Sequence, residues 1–178
     1  MPSAESKWPK NALSLAEELI SELSLMEKQF AAAESCTAGL VSDLIASIPG
    51  ASKVFWGSFV TYTNDAKHKM LDVPEMQIRE HGPVSRHVAL AMAEGALKKS
   101  GAALALSVTG LAGPGGDDSA PVGTVWIGIA GWNNMDDILK NGFWSEAKVF
   151  SFSGNRNEVR EAAAIAAVEE ILARIKRK

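Results

Sequence analysis

An α/β domain with helices on both faces of a mixed sheet is the fold class this chain predicts. Three observations carry it. About five apolar or β-branched stretches have the length of strands. Stretches with helical spacing of apolar residues lie between them, which calls for a sheet covered on both faces. The last two strand-like segments are joined by a polar turn and read as a hairpin. They should pair antiparallel and make the sheet mixed.

The elements follow in order. Residues 1–11 are polar with two prolines and read as a loose arm, leaving 12–178 as a single domain. From Ala12, the positions Leu15, Ala16, Leu19, Ile20 and Leu23 follow helical spacing. Gln29 to Ala33 is a short apolar run, readable as a buried strand. Glu34-Ser35-Cys36-Thr37-Ala38-Gly39 then opens a second helix, carried by Leu40, Val41, Leu44, Ile45 and Ile48 and stopped by Pro49-Gly50. Val54 to Tyr62 is β-branched and aromatic and reads as a strand. Asn64 suits the cap of a short helix through Leu71, with another after Pro74. Gly82-Pro83 breaks the chain, and Ser85 caps a helix running to about Lys99. Ala103 to Val108 is a buried strand, and 109–123 a glycine- and proline-rich loop. Val125 to Ala130 and Trp144 to Phe152 form the late pair. Asn155 to Lys178 is a long final helix.

Composition sets the functional bounds. The 178 residues are 47% hydrophobic and 22% charged, the balance of an ordinary globular protein. Eighteen Lys and Arg against 21 Asp and Glu give a net charge of −3, without the basic excess of a nucleic-acid or anionic-membrane binder. Cys36 is the only cysteine, so neither an intrachain disulfide nor a Cys-rich zinc site can form. His68, His81 and His87 lack metal-ligand spacing, and neither a metal nor another cofactor is expected. The single thiol and the polar start of the chain suit the cytoplasm.

Five features carry chemistry. Ser35 follows a buried strand at the expected helix start, where free N–H groups and the helix dipole favour a developing oxyanion. The amides of Cys36 and Thr37 are the candidate donors. Position alone favours a plainer role for Ser35, as an N-cap. Cys36 is a competing nucleophile, though a free cysteine is more often a small buried hydrophobe. Lys67 falls in the first turn of the helix after Tyr62-Thr63-Asn64. A cation there is either a solvated surface residue, the reading spacing favours, or a lysine whose pKa is meant to fall. Thr109-Gly110-Leu111-Ala112-Gly113-Pro114-Gly115-Gly116 follows a buried strand and suits close backbone approach to a ligand, yet matches neither a P-loop nor a dinucleotide fingerprint. Arg156 and Arg160 are i,i+4 neighbours able to clamp a phosphate or carboxylate, or to serve as a solvated face or subunit contact.

The motifs containing Ser35, Tyr62 with Lys67, Gly82-Pro83-Val84-Ser85, Thr109–Gly116, Pro121-Val122-Gly123-Thr124-Val125 and Phe152-Ser153-Gly154-Asn155-Arg156 occur here in one order. Together they closely resemble the CinA C-terminal domain family over roughly residues 15–170. Its stand-alone members are nicotinamide-nucleotide amidases. The resemblance implies a three-layer α/β/α sandwich with a mixed, about five-stranded sheet. It also implies hydrolysis of nicotinamide mononucleotide to nicotinate mononucleotide and ammonia without a metal. Longer members carry a further N-terminal domain, for which 178 residues leave no room.

On that resemblance the serine falls on Ser35 and the lysine on Lys67, with Tyr62 and Asn64 beside them. The expected chemistry is a Ser35–Lys67 dyad with Tyr62 orienting the lysine or relaying a proton. Cys36, Thr37, Asn64, Thr109, Gly110 and Gly113 would bind substrate, the glycine loop holding the ribose-phosphate. The family commonly has Gly-Gly at Ala38-Gly39 and Asp at Asn155. A methyl at Ala38 is expected to be tolerated within a helix start, and Asn155 can still cap a helix. The expected partner is a small nucleotide, with neither nucleic acid nor membrane. A homodimer is expected from the resemblance and the apolar stretch 54–60, though Trp56 fits a core position equally. The alternative reading is a non-catalytic nucleotide-binding or regulatory module.

Overall fold

The computed structural model of the chain describes residues 6–116, 120–133 and 142–177. The described residues hold six α-helices and one five-stranded sheet. In chain order the elements are α1 (Lys10–Leu25), β1 (Phe30–Glu34), α2 (Leu40–Ala46), β2 (Phe55–Val60), α3 (Asn64–Leu71), α4 (Glu75–His81), α5 (Arg86–Ser100), β3 (Leu104–Gly110), β4 (Thr124–Trp132), β5 (Phe143–Ser151) and α6 (Arg156–Lys176). The sheet runs β2-β1-β3-β4-β5. β1 is parallel to both neighbours, while β4 is antiparallel to β3 and β5, so the sheet is mixed as expected. The polar turn expected between β4 and β5 lies mostly outside the described residues, as do residues 117–119 of the glycine loop.

Side-chain alternation along the strands builds two cores. Ala32, Leu106, Val108, Ile127 and Ile129 point to one face, where α1, α2 and α6 pack on them. Ala33, Ala105 and Ala130 point to the other, against α5 with α3 and α4. Small residues let α5 sit close there. A Cβ at Gly128 would lie 2.7 Å from the Ala89 carbonyl oxygen, which also accepts the Ser107 hydroxyl at 2.6 Å. The result is three layers, α/β/α.

Four local expectations need correction. Helix α1 starts at Lys10, and Trp8 is buried with its indole N–H donating to Asp43 at 2.7 Å, so the loose arm does not extend to residues 8–11. Residues 1–5 of that arm lie outside the described residues. Trp56 is not core: it is half-exposed on edge strand β2, stacked on Phe59. Thr63, not Asn64, caps α3, its hydroxyl accepting from Ala66 N–H at 3.1 Å. The second helix starts at Leu40 rather than beside Ser35, and residues 35–39 form a turn.

That turn sits where the sheet changes direction. The crossover from β1 to β2 passes α2 on one face, and the path from β2 to β3 passes α5 on the other. A crevice therefore opens beyond the carboxyl ends of β1 and β3, the usual ligand position in open α/β sheets.

Candidate active site

Three strand ends deliver the residues of this crevice. Ser35 follows β1, Tyr62 and Asn64 follow β2, and Thr109 and Gly110 end β3. With Lys67, Arg156 and the turn at Pro83 they line a cleft of about 210 Å³. Among the described residues, its lining holds Lys67 and Arg156 but no acidic residue, in a chain of net charge −3. The cleft thus favours a small ligand bearing negative charge.

Lys67 is the centre of the site. It is only 2% exposed, so the surface reading of its position is wrong. Helix α3 packs its buried side on α5 and carries Lys67 inward with Leu71. The Lys67 ammonium nitrogen lies 2.7 Å from Ser35 Oγ and donates at 3.1 Å to the Thr61 carbonyl. Among the described residues, no carboxylate bonds to it. Burial therefore lowers its pKa from 10.5 to about 8, because the charged form is poorly solvated. A substantial minority of the molecules carry a neutral amine there at mildly alkaline pH, and a neutral amine accepts a hydroxyl proton.

Cys36 sits in the opposite condition. Its side chain is buried, and loss of solvation pushes the thiol up to about 11. A neutral thiol is a weak nucleophile, so the side chain belongs to the packing beneath the turn.

The 35–39 turn is held by a residue whose role sequence reasoning did not find. Glu34 is fully buried, and its carboxylate accepts from the N–H groups of Gly39, Val41 and Ser42 at 2.8, 3.1 and 3.0 Å. The hydroxyls of Ser42 and Ser58 donate to it at 2.6 and 3.2 Å. Glu34 thus does the work assigned to Ser35 as a helix cap, which frees Ser35 Oγ for Lys67. Within the turn, Ala38 has φ +49°, so it lies outside the helix in a left-handed conformation, contrary to the expected helix start. A left-handed backbone of this kind favours glycine over any residue with a Cβ. The N–H groups of Cys36 and Thr37 donate to no oxygen among the described residues, and both lie near the Cys36 sulfur. Cys36 lines the cleft and keeps its N–H as a candidate anion donor, whereas Thr37 is fully buried outside the lining.

Of the other expected residues, Tyr62, Asn64, Thr109 and Gly110 line the cleft, whereas Gly113 does not. The Tyr62 hydroxyl accepts from Arg156 at 2.6 Å and makes no hydrogen bond to Lys67; the Thr61 carbonyl takes the orienting place. The Thr109 hydroxyl donates to the Pro83 carbonyl at 2.8 Å, so its proton is committed to the loop. Gly113 offers its carbonyl to Arg156. Gly110 needs its missing side chain, since a Cβ would lie 2.7 Å from the Thr124 carbonyl oxygen. Asn64 is exposed at the rim. Asn155 caps α6, accepting from Asn157 and Glu158 N–H groups at 2.9 and 3.2 Å, while Glu158 returns the bond to Asn155 N–H at 2.7 Å. Among the described residues, no helix is long and apolar enough to cross a membrane.

Known proteins share this architecture. Residues 12–175 match the CinA C-terminal domain. A CinA-like protein of Geotalea uraniireducens is 45% identical over 144 residues, covering 80% of this chain and 32% of that protein. A CinA-like protein of Geobacter metallireducens is 43% identical over 146 residues, covering 82% of this chain and 33% of that protein. The chain spans about a third of the length of the curated relatives it matches. The crystal structure of the competence/damage inducible protein CihA from Agrobacterium tumefaciens superposes with a TM-score of 0.85 at 37% identity, over 94% of this chain and 98% of that one. The competence damage-inducible protein A from Klebsiella pneumoniae gives 0.85 at 27% identity, over 93% and 98%.

Proposed function

The chain belongs to the CinA C-terminal domain family, and on that premise we propose that it is an amidohydrolase that converts nicotinamide mononucleotide to nicotinate mononucleotide and ammonia. The observation that carries this reading is the buried Ser35–Lys67 pair at 2.7 Å. A serine facing an amine of lowered pKa is an activated nucleophile with its own base.

Neutral Lys67 takes the Ser35 hydroxyl proton as Oγ attacks the carboxamide carbon. The oxyanion is met by the Cys36 N–H. Lys67 then gives its proton to the amide nitrogen, the C–N bond breaks, and ammonia leaves an acyl-Ser35. Water attacks the ester carbon as Lys67 takes one of its protons, that proton returns to Ser35 Oγ as the carboxylic acid departs, and the acid gives its remaining proton to the released ammonia, leaving carboxylate and ammonium. The pyridinium charge of the substrate further discourages a protonated Lys67.

The phosphate end falls to Arg156 rather than Thr109 in this reading. A guanidinium has five N–H donors, and Arg156 uses two on Gly113 and Tyr62. Among the described residues, no acidic side chain lines the cleft beside it. Remote binding energy of this kind orients the reacting amide.

Ammonia release measured with nicotinamide mononucleotide and with free nicotinamide tests the reading. The mononucleotide should be turned over with a specific activity far above that of nicotinamide. Equal specificity constants would sink the phosphate assignment. Tight binding of the mononucleotide without ammonia release would make the chain a binding module instead.

A further inference from the structure

Two helix starts compete for the residues around Ser35. Spacing runs the second helix back to this serine, whose hydroxyl would then serve as its cap. The chain folds otherwise. Helix α2 begins at Leu40, and residues 35–39 form a turn in which Ala38 and Gly39 have φ +49° and +100°. A left-handed backbone at Ala38 works against its Cβ, and winding 36–39 into the helix would remove that opposition. The turn persists only if other hydrogen bonds outweigh the longer helix.

The buried Glu34 carboxylate supplies them. One oxygen accepts from the Gly39 and Val41 N–H groups, and the other from the Ser42 N–H. The start of α2 is thereby satisfied without Ser35. Ser42 of α2 and Ser58 of β2 add their hydroxyls to the same carboxylate, which fixes it between two elements. Among the described residues, Ser35 Oγ bonds to Lys67 Nζ and to no N–H of α2. Glu34 also reaches the lysine, through the backbone. Its carbonyl accepts from the Thr61 N–H at 2.8 Å, and the Thr61 carbonyl accepts from Lys67 Nζ at 3.1 Å. One residue thus joins the turn that carries the serine to the strand end that orients the lysine.

We propose that Glu34 is a positioning residue that holds residues 35–39 out of α2 and so keeps the Ser35 hydroxyl on Lys67 instead of on the helix start. It touches no reacting atom. The proposal rests on the reading of Ser35 as nucleophile.

The test compares the wild type with Glu34→Gln, Glu34→Gln combined with Ala38→Gly, and Ser58→Ala. Glutamine keeps the shape of the side chain but has one acceptor oxygen where glutamate has two. The N–H groups it leaves over then compete for Ser35 Oγ. One readout is ammonia release from nicotinamide mononucleotide. The other is the rate at which a fluorophosphonate labels Ser35, its phosphorus exchanging fluoride for the serine oxygen, followed by mass spectrometry. Labelling needs the activated serine but not the nucleotide. Glu34→Gln should lower kcat by about 10- to 100-fold with KM within about threefold, because a displaced nucleophile loses rate more than binding. Ser35 labelling should slow in proportion. Adding Ala38→Gly should return part of both rates, since glycine favours the left-handed turn and disfavours the helix. Thermal melts establish that each variant is folded at the assay temperature. If Glu34→Gln is not, Ser58→Ala decides, and its labelling should slow by about threefold for one lost hydrogen bond to the carboxylate. A folded Glu34→Gln with a lower melting temperature but wild-type kcat and labelling would overturn the proposal. So would a raised KM with unchanged kcat, a double variant slower than Glu34→Gln, or wild-type labelling of Ser58→Ala where that variant decides. A wild type never labelled at Ser35 would remove the nucleophile and the proposal with it. A wild type labelled at Ser35 that releases no ammonia would instead refute the nucleotide assignment, and the labelling rates would still judge Glu34.

Discussion

Lys67 Nζ and Ser35 Oγ meet at 2.7 Å although 32 residues separate them in the chain. The lysine reaches the serine from the first turn of α3, and among the described residues no carboxylate bonds to it. Its positive charge is the least stable charge in the site, which gives the pair a measurable pH signature.

The log of kcat/KM should rise with unit slope from acid pH and level off above about pH 8, because only the neutral amine accepts the serine proton. Initial rates at subsaturating mononucleotide across pH 5.5 to 10, roughly the span needed to bracket that midpoint, would show it. A limb ending near pH 6.5 would point to a histidine-like group instead.

The same burial costs stability. The folded-state pKa of about 8 lies below the ordinary lysine value of 10.5, so both states are protonated below about pH 8 and the penalty is then complete. Between about pH 8 and 10.5 the unfolded chain binds more protons, and stability rises with pH. Lys67→Met should therefore be inactive yet about 1 kcal/mol more stable near neutral pH, after loss of its two hydrogen bonds. Denaturant melts of both proteins at several pH values would reveal the gain shrinking above about pH 8.

Ser35→Ala should abolish nearly all turnover, whereas Cys36→Ala should keep a substantial part. The Cys36 thiol, with its pKa pushed up to about 11, is almost wholly neutral at the working pH. Removing its buried sulfur should cost about 1–2 kcal/mol of stability through packing. Parallel ammonia assays and thermal melts would separate the two effects. An essential Cys36 beside a dispensable Ser35 would move the chemistry to the thiol.

Ala38→Gly should stabilise the chain by about 0.5–1 kcal/mol. Ala38 is exposed at φ +49°, so its methyl packs on little while opposing a left-handed backbone. Chemical denaturation would register the change, and loss of stability would mean that the methyl packs after all.

Much of this was legible in the sequence, and the misses share a physical cause. Strand, turn and helix followed one another as the periodicities required, and Ser85 and Asn155 capped the helices expected of them. The start of α2 was misplaced because its cap comes from a strand residue, Glu34, whose carboxylate reads in sequence as one more charge. Lys67 read as surface because a cation in the first turn of a helix is normally solvated. Only the packing of α3 against α5 buries it. Tyr62 was paired with its neighbour Lys67, but its partner Arg156 lies 94 residues away. Local spacing predicts elements and caps, while long-range partners decide which polar side chain faces which.

The proposed dyad requires Lys67 to accept the Ser35 proton rather than to supply a fixed positive charge. Lys67→Arg separates the two roles, because a guanidinium keeps the charge and cannot be deprotonated in a protein. Ammonia release from nicotinamide mononucleotide should be nearly as low for Lys67→Arg as for Lys67→Ala, with the mononucleotide still bound by the folded variant. Retention of most of the wild-type rate by Lys67→Arg would contradict the dyad and place the general base elsewhere.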